Sequence, residues 1–398
     1  MTVAAQPRAR QHAGVPPAQT PWIPLFPTLW PSMLRPAVGA AAPPFPLADP
    51  DRREFTFARY GIFAIARALR LEGREVIFPA FFHCVEVDAL VAAGARITFY
   101  PIGTDLRLDP QQIADRIGSR TAAVYVIHYA GFAAPIRELR SLCRDRGLAL
   151  IEDCAHALLS TTDGEPLGSF GDAALFSLPK SLPTPDGGIL VLRGGWPEDA
   201  SRRSRPNPTW LAAHTVSLLL SNLEMRRIPG SAGVRQLALR TGKAAFSAAG
   251  AAYVPMGTPN FDVAQVATGM SRLSRRIART QDFPAIARRR RRNYRFLRER
   301  LDGIAPSIFP ELPGGTCPLF YPFRVDRRDA VLARLRSHGV QVGEFWPDRH
   351  PLVPDGEFAG VTALRETSLW LPCHQDLTLD ALEWLVAAVA WAARGDRS

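Results

Sequence analysis

The sequence predicts an α/β protein with a mostly parallel sheet between helices, followed by a smaller C-terminal α+β domain. Three observations carry this expectation. From residue 75 onward, apolar strand-like runs recur at roughly 25-residue intervals with helical patterns between them, the rhythm of βαβ units. After Trp196 the pattern becomes helical until residue 302, and beyond 303 strand and helix alternate again. The 398 residues, 47% apolar and 21% charged, are enough for two cores and argue against extensive disorder. The expected division is a Pro-rich N-terminal arm over 1–50, a large domain over 51–255 and a small domain over 256–398.

The elements follow from local chemistry. "EVIFPAF" reads as a strand and "VEVDALVAAG" as a helix stopped by Gly94. "ARITFYP" is the next strand, and "DPQQIADRIG" a helix opened by Asp109-Pro110. Then come the strand "TAAVYVIHY", the helix "PIRELRSLCRDRG" ending at Gly147, and the strand "LALIED". Two further apolar runs, "AALFSL" at 173–178 and "GILVL" at 188–192, lie so close together that they read as adjacent strands at the site end of the sheet. In the last third, "LFYPFRV" predicts a strand, "RDAVLARLRSHG" a helix and "LDALEWLVAAVAWAARG" a closing helix.

Composition excludes several classes. Cysteines 84, 143, 154, 317 and 373 form no C-x-x-C pair, so neither a zinc site nor a disulfide framework is expected, and a reducing cytoplasm fits. The first fifty residues hold 12 of the 36 prolines, which interrupt any signal-peptide core; they read as an extended arm, either packed across a partner subunit or disordered. The apolar stretch 209–223 is too short to span a bilayer and contains His214 and Asn222. A net charge of +11 and the run Arg288–Arg292 raise nucleic-acid binding as a possibility. Five successive helical residues point all around the axis, however, so the run reads as a solvated helix, with contacts to an anionic substrate or lipid as the lesser alternative.

One residue stands out against that background. Of 48 basic residues only Lys180 and Lys243 are lysines. Arginine stays protonated, whereas a desolvated lysine can lose its proton and attack a carbonyl. Lys180 lies in "FSLPKSLPTPDGGILVL", just beyond a strand end, while Lys243 has no supporting constellation. Asp153 closes "LALIED", His128 closes "AAVYVIH" and Ser177 ends "AALFS"; Gly61 is read as part of a loop entering a helix. Ligands of open α/β sheets bind at the carboxyl ends of the strands. An amine for an aldehyde, a carboxylate for a ring nitrogen and amide donors for a phosphate are the parts that hold pyridoxal phosphate.

The motifs "ALIEDCAHAL", "GSFGDAALFS" and "K…DGGILV", in that order, resemble the DegT/DnrJ/EryC1/StrS family of pyridoxal-phosphate sugar aminotransferases, which have fold type I, the aspartate-aminotransferase fold. "GREVIFPAFFHCVEVDALVAAGARITFYPIGTDLRLDPQQI" and "RTAAVYVIHYAGF" upstream, and "FRVDRRDAVLARLRSHGVQVG" and "LWLPCHQDLT" downstream, extend the resemblance over 55–195 and 320–390. The segment 196–258 matches poorly. The resemblance implies that Lys180 holds the cofactor covalently and then shuttles a proton, that Asp153 pairs with the pyridine N–H, and that His156 stands near the 3-oxygen. It further implies phosphate contacts from Ser177 and the Gly61–Ile62 segment, an aromatic stack from His83 or Phe82, and Asn260 reaching a neighbouring subunit's phosphate in a homodimer. The chain departs from the family in four places. Two residues rather than four separate Ser177 from Lys180, Ile62 replaces a threonine, "NFDV" replaces "N-x-R-M", and "EFWP" at 344–347 replaces "H-Y-P".

The expected activity is a cytoplasmic homodimer moving an amino group from glutamate to a keto-sugar, nucleotide-activated, for polysaccharide or natural-product assembly. The alternatives are elimination or carbon–carbon chemistry on the same cofactor, or an inactive regulatory or scaffold paralogue. No metal and no integral membrane segment are expected.

Overall fold

The computed structural model describes residues 21–35, 42–196, 204–248 and 261–394. The large sheet is assembled from β1 (Arg52–Phe55), α1 (Ala58–Ala68), β2 (Glu75–Pro79), α2 (Val85–Ala92), β3 (Arg96–Tyr100), α3 (Pro110–Ala114), β4 (Thr121–Ile127), α4 (Ile136–Arg146) and β5 (Ala149–Asp153). A two-residue hairpin follows, β6 (Thr161–Thr162) with β7 (Glu165–Pro166), then β8 (Ala173–Ser177), the single-turn helix α5 (Leu178–Ser181) and β9 (Gly188–Leu192). The strand order is β1-β9-β8-β5-β4-β2-β3. All neighbours from β8 to β3 pair in parallel, while β9 is antiparallel to both β8 and β1 and so alone runs the other way.

Local chemistry explains the boundaries. Asp109 accepts the Gln111 amide with Pro110 at the first helical position, which starts α3 as expected. Gly147 ends α4 with φ +66°, and Gly94 closes the α2 turn with φ +87°, conformations in which a Cβ would be strained. The parallel strands are almost continuously apolar because helices cover both faces, and Ile151, Val124 and Ile77 are essentially inaccessible.

After the sheet the chain is helical, with α6 (Pro208–Met225), α7 (Ser231–Ala248), α8 (Arg272–Arg279) and α9 (Phe283–Leu301). Asn207 caps α6 by accepting the Thr209 and Trp210 amides. A second sheet, order β10-β12-β11, uses β10 (Phe320–Arg324), β11 (Gly343–Glu344) and β12 (Ser368–Pro372), backed by α10 (Arg328–Ser337), α11 (Ala359–Thr367) and α12 (Leu379–Arg394). The expected boundary near 255 falls outside the described residues. No helix among the described residues is long and apolar enough to cross a membrane.

Two sequence expectations are corrected. The described part of the N-terminal arm packs on its own chain: Ile23 bridges Val340, and Thr28 bonds Asp376 through its backbone amide at 2.8 Å. Apart from one 3-10 turn at Pro31–Leu34, the described proline-rich segment relies on this docking for its hydrogen bonds. The arginine run is not uniformly solvated either. Arg288, Arg289 and Arg292 are exposed, but Arg290 is 1% accessible. Its guanidinium donates to Gln375 Oε1 (2.9 Å) and to the backbone carbonyls of Leu319 and Ser181 (3.1 Å each).

Arg290→Met is expected to cost about 3 kcal/mol of stability, because buried carbonyls lose their donor. Arg289→Ala, on the exposed face, should stay within about 0.5 kcal/mol of wild type. Urea denaturation of the two variants separates these outcomes.

Candidate active site

The first consequence of the topology is that β5 and β8 end side by side, placing Asp153 and Ser177 at one rim. "SLPK" then forms one helical turn, with Ser177 at its N-cap position and Pro179 in the first turn. Ser177 and Lys180 are three residues apart on that turn, a spacing that puts both on one face, and both line the same cavity of about 430 Å³. The shortened spacing therefore forms a helical turn that keeps serine and lysine on the same cavity.

Lys180 Nζ lies 3.1 Å from His156 Nε2. Burial lowers the lysine's pKa, against the opposing pull of Asp153 and Glu86. His156 is almost fully buried, face to face with Trp346 at 5.6 Å and edge-on to Phe320, Phe345 and Trp370. Burial, then the lysine charge, holds its pKa well below the ordinary value, so the imidazole is neutral and its Nε2 lone pair accepts from Nζ. Its buried Nδ1 has no hydrogen-bond partner among the described residues.

Asp153 is 3% accessible and accepts two hydrogen bonds, from the Tyr125 hydroxyl at 2.7 Å and the Ala155 amide at 2.9 Å. Burial raises its pKa, and Lys180 and these donors oppose that rise. The neighbouring Glu152 is structural: it accepts amides of Gly168 and Phe170 at 2.8 Å and faces His128 Nε2 at 3.0 Å. His128 Nδ1 accepts the Ala134 amide, so both its nitrogens are satisfied and it has no place in the site. Of the buried group His128, Glu152 and Cys154, the histidine and the carboxylate are engaged by these bonds.

The other expected residues divide. His83 and Phe82 both line the cavity, but Phe82 is fully buried and its ring already stacks on Phe99 at 5.6 Å. Gly61 is not in a loop: it lies inside α1, where a Cβ would stand 2.1 Å from Leu190 Cδ1. It serves close packing of helix on sheet, and the α1 residues lining the cavity are Ala58, Arg59 and Ile62. The amides without intrahelical acceptors at this end belong to the first residues of α1, not to Gly61. Asn260 lies outside the described residues. Of the five cysteines none is in a disulfide.

Sequence reasoning missed Glu86, Arg59 and Trp346, all in the cavity wall. Trp346 adopts φ +50°, a strained conformation for a bulky residue, and it occupies the "EFWP" departure, which was the available signal. Glu86 is the buried one of two acids in the first turn of α2, 8% accessible, and its Oε2 has no hydrogen-bond partner among the described residues. Burial and then the Asp153 charge push its pKa up to about 8. The N-terminal arm also contributes, through Leu25 and Phe26.

The seven-stranded, mostly parallel sheet followed by a small α+β domain has the fold type I architecture of aminotransferases. Residues 60–217 match the model of the DegT/DnrJ/EryC1/StrS aminotransferase family. The resemblance read from the sequence is thus borne out over this segment. A GDP-perosamine synthase of Vibrio cholerae is 37% identical over 123 residues, 30% of this chain and 34% of the relative. A dTDP-4-dehydro-2,3,6-trideoxy-D-glucose 4-aminotransferase of Saccharopolyspora spinosa is 34% identical over 163 residues, 39% of this chain and 42% of the relative. These matches span only about a third to two-fifths of those relatives' length. The solved structure of the aminotransferase TlmJ from Streptoalloteichus hindustanus superposes with a TM-score of 0.61 at 26% identity, over 86% of this chain and 85% of that one.

Ionising Glu86 costs the folded state more than the unfolded one. The folded chain therefore holds a proton there between pH 4.5 and about 8 that the unfolded chain releases, and wild-type stability falls as pH rises through this window. Glu86→Gln is expected to remove that slope, so its stability relative to wild type should increase with pH. Urea unfolding at a series of pH values measures the difference.

Proposed function

We propose that this chain is a pyridoxal-phosphate-dependent aminotransferase that moves an amino group, from glutamate, to the keto carbon of a nucleotide-activated sugar. The observation that carries the reading is the half-buried Lys180 amine, poorly able to stay charged, in a cavity it shares with Ala155 and His156 just beyond Asp153. The residues fit the cofactor. Lys180 suits its aldehyde, and Asp153, held by Tyr125 and Ala155, suits a protonated ring nitrogen. The α1 amino terminus and Ser177 suit its phosphate, and the cavity size is ordinary for a ligand of this class. His83 is the aromatic available to lie against the ring.

When bound, the cofactor supplies an electron sink for the carbon bearing the transferred amine. This chain's own residues do the rest. Lys180 would hold the cofactor's aldehyde, and its amine would move the proton at the reacting carbon. Asp153 would keep the ring nitrogen protonated, and His156, neutral and walled by aromatics, would orient Nζ. The aromatic wall of Phe320, Trp346 and Trp370 excludes water. The sugar-nucleotide acceptor is supported by the names of the two relatives above. A cytoplasmic homodimer with shared sites, including Asn260, completes the reading.

The purified protein should develop visible absorption on addition of pyridoxal phosphate, and Lys180→Ala should abolish it. With labelled glutamate and a nucleotide keto-sugar, 2-oxoglutarate should form, and Lys180→Ala should slow this by about 100-fold or more. Absorption that survives the substitution sinks the assignment of Lys180. Cofactor uptake without 2-oxoglutarate points instead to elimination or carbon–carbon chemistry.

A further inference from the structure

Trp346 stands in a conformation that a bulky side chain does not adopt unaided. Its φ of +50° is left-handed, a region that costs free energy for any residue but glycine and persists only where neighbours enforce it. Within the turn, the Trp346 amide donates to the Glu344 carbonyl at 2.9 Å. The further restraint comes from another element.

That element is α11, through Arg365. Its side chain is 7% accessible and donates to the backbone carbonyl of Trp346 at 2.9 Å and to that of Asp348. The same guanidinium donates to the carbonyl of Ala80, just beyond β2, at 3.0 Å, and lies 5.5 Å from the centre of the Phe81 ring. Phe81 stacks in turn on Phe345, the residue before Trp346, at 5.0 Å with the planes 7° apart. A planar fork fixes several carbonyls in one arrangement, which a lysine's point charge does not.

The held turn delivers the indole to the site. Trp346 lines the cavity and faces the His156 ring at 5.6 Å, with 28° between the planes. Phe320, Phe345 and Trp370 meet the same imidazole edge-on. On its other side His156 Nε2 lies 3.1 Å from Lys180 Nζ. His156 Nδ1 has no partner among the described residues, so no second hydrogen bond fixes the imidazole and its orientation rests on the rings around it.

We propose that Arg365 is a positioning residue for Lys180: by holding Trp346 in its left-handed turn it keeps the indole on His156, and so fixes the acceptor of the Nζ hydrogen bond. Arg365 acts from behind the cavity wall, through the tryptophan alone. The proposal rests on the reading of Lys180 as the reacting amine.

The chain's scarcity of lysine gives a direct readout. The full-length protein without cofactor is labelled briefly with acetic anhydride at neutral pH, and mass spectrometry reads Lys180 against Lys243, the other lysine. Arg365→Gln should raise the Lys180-to-Lys243 ratio about threefold or more, because the amine loses a fixed acceptor that favours its charged form. Trp346→Gly relieves the left-handed strain while deleting the indole, and should raise the ratio as much. In the double variant the effect should not grow, since both changes break one chain of contacts. Urea denaturation confirms that each variant is folded under the labelling conditions, and Arg365→Lys replaces Arg365→Gln if the latter is not. An unchanged ratio in either single variant would overturn the proposal. So would effects that multiply in the double variant, the result a merely structural arginine predicts. If wild type fails to take up pyridoxal phosphate, the functional reading falls, while the labelling cycle still decides whether Arg365 governs the Lys180 amine.

Discussion

The guanidinium of Arg290 is the contact on which the geometry of the site depends. It leaves α9, is sealed from solvent, and ends on the carbonyl of Ser181, the residue after the site lysine. Gln375 bonds both partners, donating to the same carbonyl at 3.1 Å and accepting from the guanidinium at 2.9 Å. A fixed planar fork of donors can hold several carbonyls at once, which a lysine's point charge cannot. The turn bearing Lys180 is thereby tied to both the helix before the small sheet and the loop after β12. Relative movement of the two halves would carry the lysine with it.

Charge is handled differently on the two sides of this tie. Glu152 and Asp186 are buried acids enclosed by donors, from Gly168, Phe170 and His128 in one case and from Ser271 and Ser274 in the other. They fix backbone and take no part in chemistry. In the cavity the polar groups are incompletely satisfied, with Glu86 Oε2 and His156 Nδ1 both lacking partners. Native interiors seldom leave such atoms alone, and where they do the site is usually one that awaits a ligand or exchanges protons.

Much of this was legible in the residues. Strand and helix alternation gave the sheet because both faces are covered and each strand reads as a short apolar run. Lys180 and Asp153 were legible because their neighbours, a Gly-Gly turn and a strand end, limit where they can go. Gly61 misled because a glycine before an apolar helix looks like a phosphate loop, while its use here is to let Leu190 approach. Arg290 could not be told from its four neighbours, since only the packing of α9 decides which arginine faces inward. Glu86 and Trp346 come from segments distant in sequence and meet at the cavity only through tertiary structure.

The docking of the arm adds a constraint of another kind. Thr28 is bonded to Asp376 across 348 residues, and Leu25 and Phe26 form part of the cavity wall. A chain emerging from the ribosome exposes this proline-rich stretch well before its acceptor surface around Asp376. The large sheet can form before then from contacts closer in sequence, whereas closing so long a loop comes late and slowly. Until that surface has folded, the cavity lacks the part of its wall that Leu25 and Phe26 supply, so the arm's share of the pocket is settled after the sheet's.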